Sequence, residues 1–595
     1  MISHRPALRV TILREIPDDF LLREQWNALV LQTQSPQVFY TYEWARAVQF
    51  AYGQSLCPLL MLGRDDNQGL VGVAALAAPS GGPVSFLCAN TGDYCDFVVN
   101  ERQAAVFATL VVDTLRQQSY RDIVLTNFPE DSPCYAALHS AARSSGFHIH
   151  ARTAYVCSQV RLSTMDVNAN GKPALPRQKM VRRSLRAIGE AAPPVMTRET
   201  KWEEIHGLLP DFFRAHVARF LFTDRISNLV RPERRQFLSE LAHLLSPAGW
   251  LCLSRMNAGP RTVSWNYGFE FRATWFWYQP TFVNDLEKYS PGFVLLSKLI
   301  EEAAQNPGVE SVDLGLGAEA YKEAFANAGR RTMYVTLHRS LAKHWIEMAR
   351  YQAATALAAR PAAEQAARGL VARADALRTR LRRDGVKSTL AWFLSRLRGW
   401  FFSREEVFFY DLTNPNGALP ESDELFLKTI DFDLLADAAM QNANDEGTLA
   451  YLLRCARRLR MEPDSVGFAL TNPAGEFLHF TWAGPFENFY WSELSSRLPS
   501  PSHGSMVLFD SWTPVSQRGR GYYGPTLSRV VARIRREGKR AWGFSASTNT
   551  SSVRGLEKAG FQRCFSVFRY RCLWWQKIVQ RNTAAPAPST SSRPV

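Results

Sequence analysis

Between residues 507 and 571 the sequence alternates apolar, strand-like runs with helical ones in a fixed order, and this order most narrows what the chain can fold into. A strand at 507–512 leads into the turn Gln517-Arg-Gly-Arg-Gly-Tyr-Tyr523, and a helix follows from Pro525 to Arg536. A strand at 540–546, a short helix ended by Gly560 and a strand at 563–571 complete the segment. Such alternation predicts an α/β unit. The turn is chemically informative as well. A pyrophosphate needs several backbone N–H groups converging without side-chain obstruction, and a helix N-terminus after a small-residue loop supplies donors and a favourable dipole. Gly519 and Gly521 permit that approach, and Arg518 and Arg520 add charge-assisted contacts.

At 595 residues the chain is long enough for several compact units. It is 46% hydrophobic and 12% aromatic, which is ample for packed cores. Lys and Arg outnumber Asp and Glu by 70 to 55, so anionic partners are favoured, though charge alone does not choose among them. The nine cysteines form no CxxC pair and no zinc-ligand spacing with histidine, so reduced, packed thiols and no metal are expected. The N-terminal sequence lacks the apolar core of a secretion signal, and no run approaches the roughly 18 apolar residues that span a bilayer. A cytoplasmic protein is the expectation.

Ahead of the segment at 507–571, mixed helical and strand patterns fill residues 9–163. A polar stretch containing Asn168, Gly171 and Pro173 reads as a linker. A basic helix at 177–189 then opens a second α/β region ending near Arg339. Residues 341–404 turn Ala- and Arg-rich, with 13 basic against 4 acidic side chains, and predict a helical linker. Its aromatic end, 392–402, has the composition of a segment that lies on an anionic membrane surface. The boundaries read in this way are 1–163, 176–340, the linker 341–404, a third unit at 405–578 and a disordered tail at 579–595.

The third unit resembles the GNAT superfamily of acyltransferases, whose cofactor motif R/Q-x-x-G-x-G/A is matched by Arg518, Gly521 and Tyr523, with tyrosine where glycine or alanine is commoner. The next element of that family is matched by Asn549, Ser552, Gly560 and Phe561. The resemblance covers about 170 residues and implies an acyl-CoA site formed by Gln517, Arg518, Gly519, Arg520, Gly521, Tyr522, Tyr523, Asn549 and Ser552. It also implies a splayed strand, here 507–512, whose backbone donors polarise the thioester carbonyl. The tyrosine that often protonates the leaving thiolate is replaced by Leu556, leaving Tyr522, Tyr523 and Ser552 as substitutes. Asp510 and Glu487 are the candidate bases.

Residues 9–339 resemble the cellulose-biosynthesis (CelD-like) acetyltransferase family, related to FemAB-type transferases and built of two GNAT-like halves. The resemblance is carried by Trp26, Phe39 and Trp44, by Asp93-Tyr-Cys-Asp-Phe97, by His216-Val-Ala-Arg219-Phe220, by Tyr289-Ser-Pro-Gly-Phe-Val-Leu-Leu296, and by Asp313-Leu-Gly-Leu-Gly317 with Tyr321 and Lys322. Ser290 is a suitable N-cap and Pro291 suits a first helical turn. Ser290, Gly292 and Lys322 are therefore expected to form a second acyl-donor site, and His216 is a candidate base.

Three GNAT-like mixed-sheet units, the first two a FemAB-like tandem, are thus expected. The leading function is acyl transfer from acetyl-CoA or another acyl-CoA to an amine or hydroxyl, in exopolysaccharide or cellulose production. The acceptor would be a glycan precursor or a protein amine, and no DNA is expected. A FemAB-like transfer from charged tRNA and a non-catalytic, membrane-peripheral scaffold are the alternatives.

Overall fold

The computed structural model describes residues 8–166, 173–190, 193–317, 319–358, 377–378, 381, 385–390, 402–412, 424–572 and 574–582. The chain divides into two compact units, Met1–Arg219 with Arg231–Ala359, and Phe220–Val230 with Arg360–Val595.

The first unit runs through β1 (Arg9–Leu13), α1 (Phe20–Val30), α2 (Tyr42–Leu56), β2 (Pro58–Arg64), β3 (Leu70–Ala77), β4 (Val84–Phe86), β5 (Val98–Val99), α3 (Ala104–Gln117), β6 (Asp122–Pro129), α4 (Pro133–Ser144) and β7 (His148–Arg161). It continues with α5 (Gln178–Ile188), β8 (Val195–Glu199), α6 (Trp202–Phe222), α7 (Pro232–Leu245), β9 (Leu251–Ala258), β10 (Arg261–Phe271), β11 (Thr274–Phe282), α8 (Pro291–Ala303), β12 (Ser311–Asp313), α9 (Ala320–Glu323), β13 (Ala328–His338) and α10 (Leu341–Ala358). Helix starts follow local chemistry. Asp19, Thr41 and Ser132 each accept from backbone N–H groups of the first turn of α1, α2 and α4, meeting donors that have no partner inside the helix.

The strands form one mixed sheet in the order β1-β2-β3-β4-β6-β13-β7-β12-β11-β10-β9-β8, with β5 on β3. The last strand of the second half, β13, inserts antiparallel between β6 and β7 of the first half, pairing Val335 with Leu125 on one side and Ala151 on the other. The halves therefore share one sheet. Val335 and Leu337 of β13 pack in the first half's core with Phe107, Phe128 and Leu138, so the end of the second half helps to close the first. A second core joins α5 and α8 through Val181, Ile188, Val294 and Leu299.

The second unit contains β14 (Phe402–Asp411), β15 (Phe426–Thr429), α11 (Phe432–Gln441), α12 (Glu446–Met461), β16 (Val466–Thr471), β17 (Phe477–Pro485), β18 (Tyr490–Trp491), β19 (Ser496–Arg497), β20 (Ser505–Trp512), α13 (Tyr523–Arg536), β21 (Arg540–Ala546), α14 (Thr550–Lys558), β22 (Gln562–Cys572) and β23 (Trp575–Asn582). Its main sheet has the order β15-β16-β17-β20-β21-β14-β22-β23. One core brings α13 and α14 onto the sheet through Leu527, Val530 and Leu556, and the other gathers Phe409, Phe486, Trp491 and Phe565. Two boundaries differ from expectation. Phe402, read as the end of a helical linker, opens β14, where it pairs with Cys572, and β23 carries the unit on to Asn582. Strand pairing outweighs a composition that favours helix. The expected surface segment 392–402 lies, apart from Phe402, outside the described residues.

Candidate active site

Three times among the described residues a strand is followed, after a helix, by a parallel partner, and the two strands pair only briefly. β4 pairs with β6 at Val84↔Ile123 and Ser85↔Val124. β11 pairs with β12 from Thr274↔Ser311 to Phe276↔Asp313, after which β11 runs on to Phe282. β20 pairs with β21 from Ser505↔Arg540 to Val507↔Trp542, and both strands then continue, to Trp512 and Ala546, without pairing each other. Each opening leaves ladder groups in search of partners, and at the β11–β12 and β20–β21 openings the helix between the two strands packs against them, an arrangement that suits a ligand with a carbonyl and an anionic tail.

In the second unit the β20–β21 opening coincides with the stretch expected to splay. Asp510 is in the left-handed region at φ 47, and the register with β17 shifts from Trp482↔Phe509 to Phe480↔Trp512, so β20 carries an extra residue there. The Asp510 carboxylate accepts from Arg458 Nη1 at 2.6 Å, and its backbone carbonyl accepts from the Tyr451 hydroxyl at 2.9 Å. That ion pair ties Asp510 and the bulge to α12. Glu487 is exposed on the loop after β17.

Gly519 and Gly521 have φ of 78 and 81, a conformation that strains any side-chain-bearing residue, and no atom would lie within 4 Å of a Cβ at either. The loop is thus open on its outer side. Arg518 Nε donates to the Thr513 carbonyl at 3.2 Å, Arg520 is exposed, Gln517 closes a short turn on Pro514, and Tyr522 precedes α13 without a side-chain cap bond. Asn549 Oδ1 accepts from Ser552 N at 3.2 Å and from the Ser551 hydroxyl at 2.9 Å. It caps α14, so the helix start uses its acceptor.

Tyr523 does not project from the loop. Burial pushes its pKa above the usual tyrosine value, with Ser511 of β20 and Ser552 of α14 acting in the opposite direction. A Cβ on Gly555 would overlap the Tyr523 ring, so the large residue at the motif's third position is accommodated by a glycine on the facing helix. Leu556 is fully packed in the core. Beside Tyr523, with ring centroids 5.5 Å apart, lies His479; its Nδ1 bonds the Thr513 hydroxyl at 2.8 Å, and burial lowers its pKa to about 3.

The first unit gathers more ionisable groups. At the β11–β12 opening Asp313 Oδ2 accepts from the Tyr94 hydroxyl at 2.7 Å and from Gln159 Nε2 at 2.8 Å, while Oδ1 accepts from Gly315 N at 2.8 Å. Gly315 has φ 73, and a Cβ there would come within 2.6 Å of Asp93 Oδ2. Asp93 is pushed up to about 7, first by burial and then by the Asp313 charge, against the opposing pull of Lys322, Arg234 and the Leu316 N–H. Arg234 is buried and donates to the Tyr278 hydroxyl at 2.8 Å. Asp96, three residues on from Asp93, is also raised to about 7 by burial, with Ser132, the Phe97 N–H and Arg330 opposing.

The expected second donor site is brought together only in part. Pro291 begins α8 as expected, but Ser290 has φ 50, outside the extended conformation of a capping residue, and makes no side-chain cap bond; its N–H closes the preceding short helical turn on the Glu287 carbonyl. Gly292 lies against Phe282, 3.1 Å from where its Cβ would be, and the Arg219 guanidinium stacks 3.5 Å from the centroid of that ring. Lys322 is buried and turns inward, donating to the Leu316 carbonyl at 2.8 Å and pairing with Glu319 at 2.7 Å. Its charge also acts on Asp93. His216 is 3% exposed in the α6 core, its ring 6.1 Å from that of Phe212.

Asp93, Asp313 and Arg234 were not singled out as chemical groups from sequence. Their signal was present: a charged residue inside an otherwise apolar run, as in Asp93-Tyr-Cys-Asp-Phe-Val-Val99 and Val312-Asp-Leu314, is costly to bury without partners.

No curated protein matches the chain. Among solved structures it is similar to L-PGS from Bacillus licheniformis (11% identity, TM-score 0.37, covering 57% of this chain and 98% of that one). It is also similar to FemX (10%, 0.36, covering 55% and 98%) and to a tandem GNAT protein from the clavulanic acid biosynthesis pathway (15%, 0.32, covering 56% and 99%). Residues 177–323 match the family model of the acetyltransferase (GNAT) domain, an acyltransferase domain, and this range contains the β11–β12 opening together with Ser290, Gly292, Asp313 and Lys322.

Proposed function

We propose that this chain is an acyl-CoA-dependent acyltransferase whose transfer step takes place in the first unit, at the β11–β12 opening. The observation that carries the reading is the Asp93 carboxyl, raised to about 7 beside the point where the strands part. A general base is most effective with a pKa near the working pH, and contributes typically about 10² to 10⁴-fold. Asp93 would take the proton from an acceptor amine or hydroxyl as that atom attacks the thioester carbonyl. The thioester C–S bond breaks, the acyl group passes to the acceptor, and coenzyme A leaves as the thiolate. Backbone N–H groups of the unpaired part of β11 would stabilise the developing oxyanion, and the first turn of α8 would receive the pyrophosphate.

In the second unit, the loop 517–523 supports coenzyme binding. Tyr523, kept protonated by burial, is the group best placed there to protonate a thiolate. An acceptor in exopolysaccharide or cellulose production is supported by the resemblance of residues 9–339 alone. The test is mass spectrometry of cell extracts supplied with labelled acetyl-CoA and either the wild-type chain or Asp93→Asn. An acylated product that requires Asp93 supports the reading, and equal product from both proteins overturns it.

A second reading, transfer from charged tRNA, is favoured by one feature. Lys179, Arg182, Arg183 and Arg186 are exposed along one outward face of α5 and line a shallow groove. Four cations in a row suit a phosphate backbone. Steeply salt-dependent tRNA binding lost on Arg182→Gln with Arg183→Gln would support this reading, and turnover of acetyl-CoA in RNA-free protein would exclude it.

A further inference from the structure

At one end of the second unit's sheet, β14, β22 and β23 present a row of cross-strand neighbours, Phe402, Cys572 and Trp575, in register. All three are exposed. Phe402 retains 58% of its surface, Trp575 53%, and Trp574, in the turn between β22 and β23, 90%. Burying a tryptophan or phenylalanine is strongly favourable, so three such side chains exposed to water at one strand end mark a surface with a partner.

The next row on the same face is Arg404, Tyr570 and Lys577, two residues back along each strand, or about 7 Å. Arg404 and Lys577 are exposed, and the Arg404 guanidinium lies 5.9 Å from the centre of the Tyr570 ring. The nearest carboxylates on β14 are already neutralised: Glu405 pairs with Arg569 at 2.8 Å and Glu406 with Arg563 at 3.3 Å. The surface is therefore layered, with aromatic side chains at the tip and uncompensated cations one step behind.

This layering identifies the partner by its chemistry. Tryptophan settles at the boundary between headgroups and acyl chains, and a cation is attracted to an anionic leaflet by about 1 kcal/mol. An element that sinks its apolar edge by about 5–10 Å places residues 7 Å behind that edge among the headgroups. We propose that the exposed end of β14, β22 and β23 is a docking surface for anionic phospholipid bilayers, with Trp574 and Trp575 inserted at the interface and Arg404 and Lys577 against lipid phosphates. No helix among the described residues is long and apolar enough to cross a membrane. Anchoring by a β-hairpin tip differs from the helix expected at 392–402, and it is independent of which opening transfers the acyl group.

The test uses the full chain with vesicles of phosphatidylcholine alone or mixed with phosphatidylglycerol. The protein is expected to co-sediment with the mixed vesicles and not with phosphatidylcholine. Lipids brominated on the acyl chain are expected to quench its tryptophan emission. Trp574→Ser with Trp575→Ser should lower partitioning about tenfold or more. Arg404→Gln with Lys577→Gln should weaken it and flatten its salt dependence. Circular dichroism melts check that both variants fold. Three results overturn the proposal: no sedimentation with anionic vesicles, loss only on Trp400→Ser with Phe401→Ser, or a tryptophan variant that changes self-association while vesicle binding persists.

Discussion

The Tyr94 hydroxyl donates to Asp313 Oδ2 at 2.7 Å in a buried setting, joining groups 219 positions apart in the sequence. It links the loop before β5 in the first half to the end of β12 in the second, where the parallel strands part. Asp93 is the neighbour of Tyr94 in sequence, so this bond also positions the carboxyl proposed as the base.

Replacing Asp93 by Asn is expected to lower acyl transfer by about 10² to 10⁴-fold, the usual range for a general base. In the wild type the rate should rise with pH through about 7, because the base must be deprotonated to act. A pH–rate profile checks this, and a rate already flat below pH 6 would remove Asp93 from the mechanism.

The same shift has a signed consequence for stability. The folded-state pKa of Asp93 is about 7 and its ordinary value is 3.8, so the native chain binds more protons than the unfolded chain between those pH values. Its contribution is fully present below about pH 4 and is lost as pH rises through 7. Asp93→Asn should therefore raise the melting temperature at pH 8 relative to wild type and have little effect at pH 4.

Gly315→Ala would place a methyl 2.6 Å from Asp93 Oδ2 on a residue with φ 73. The left-handed conformation alone costs about 1–2 kcal/mol, and the carboxyl must shift as well. Denaturant unfolding should show a loss of at least that size, and turnover should fall further than stability explains.

Asp510→Asn tests the assignment of Asp510 to structure. The pair with Arg458 is partly exposed, at 16% and 26% of the two side chains, so its loss should cost about 1–2 kcal/mol. Acyl transfer at the first unit's site should be unchanged, whereas a large fall in turnover would restore Asp510 as a base.

His479 makes the second unit acid-sensitive. Burial depresses its pKa from 6.5 to about 3, so the unfolded chain takes up a proton that the native one refuses. Stability from this group is complete above 6.5 and is lost as pH falls below it. Following the second unit's melting temperature from pH 7 to 4 checks this, and His479→Gln should give the shallower slope.

Local chemistry, written along the chain, determined a good deal of this protein. Periodicity located the strand–loop–helix order at 507–536, and a start at Pro291 for α8. The glycines at 519 and 521 announced an open loop, because left-handed backbone is a property of one residue. Contacts between distant segments were decided only by tertiary structure. Nothing local told that Ser290 would close one turn rather than cap the next, that Lys322 would fold inward, or that Asp510 would meet Arg458, 52 residues away. The pairing of β13 between β6 and β7 was likewise out of reach, since a strand's pattern of burial does not name its neighbours. Asp93 shows the division best: its place in an apolar run is a fact of sequence, but its raised pKa comes first from burial and then from the Asp313 charge, against the pull of Lys322 and Arg234, and only the folded sheet sets that balance.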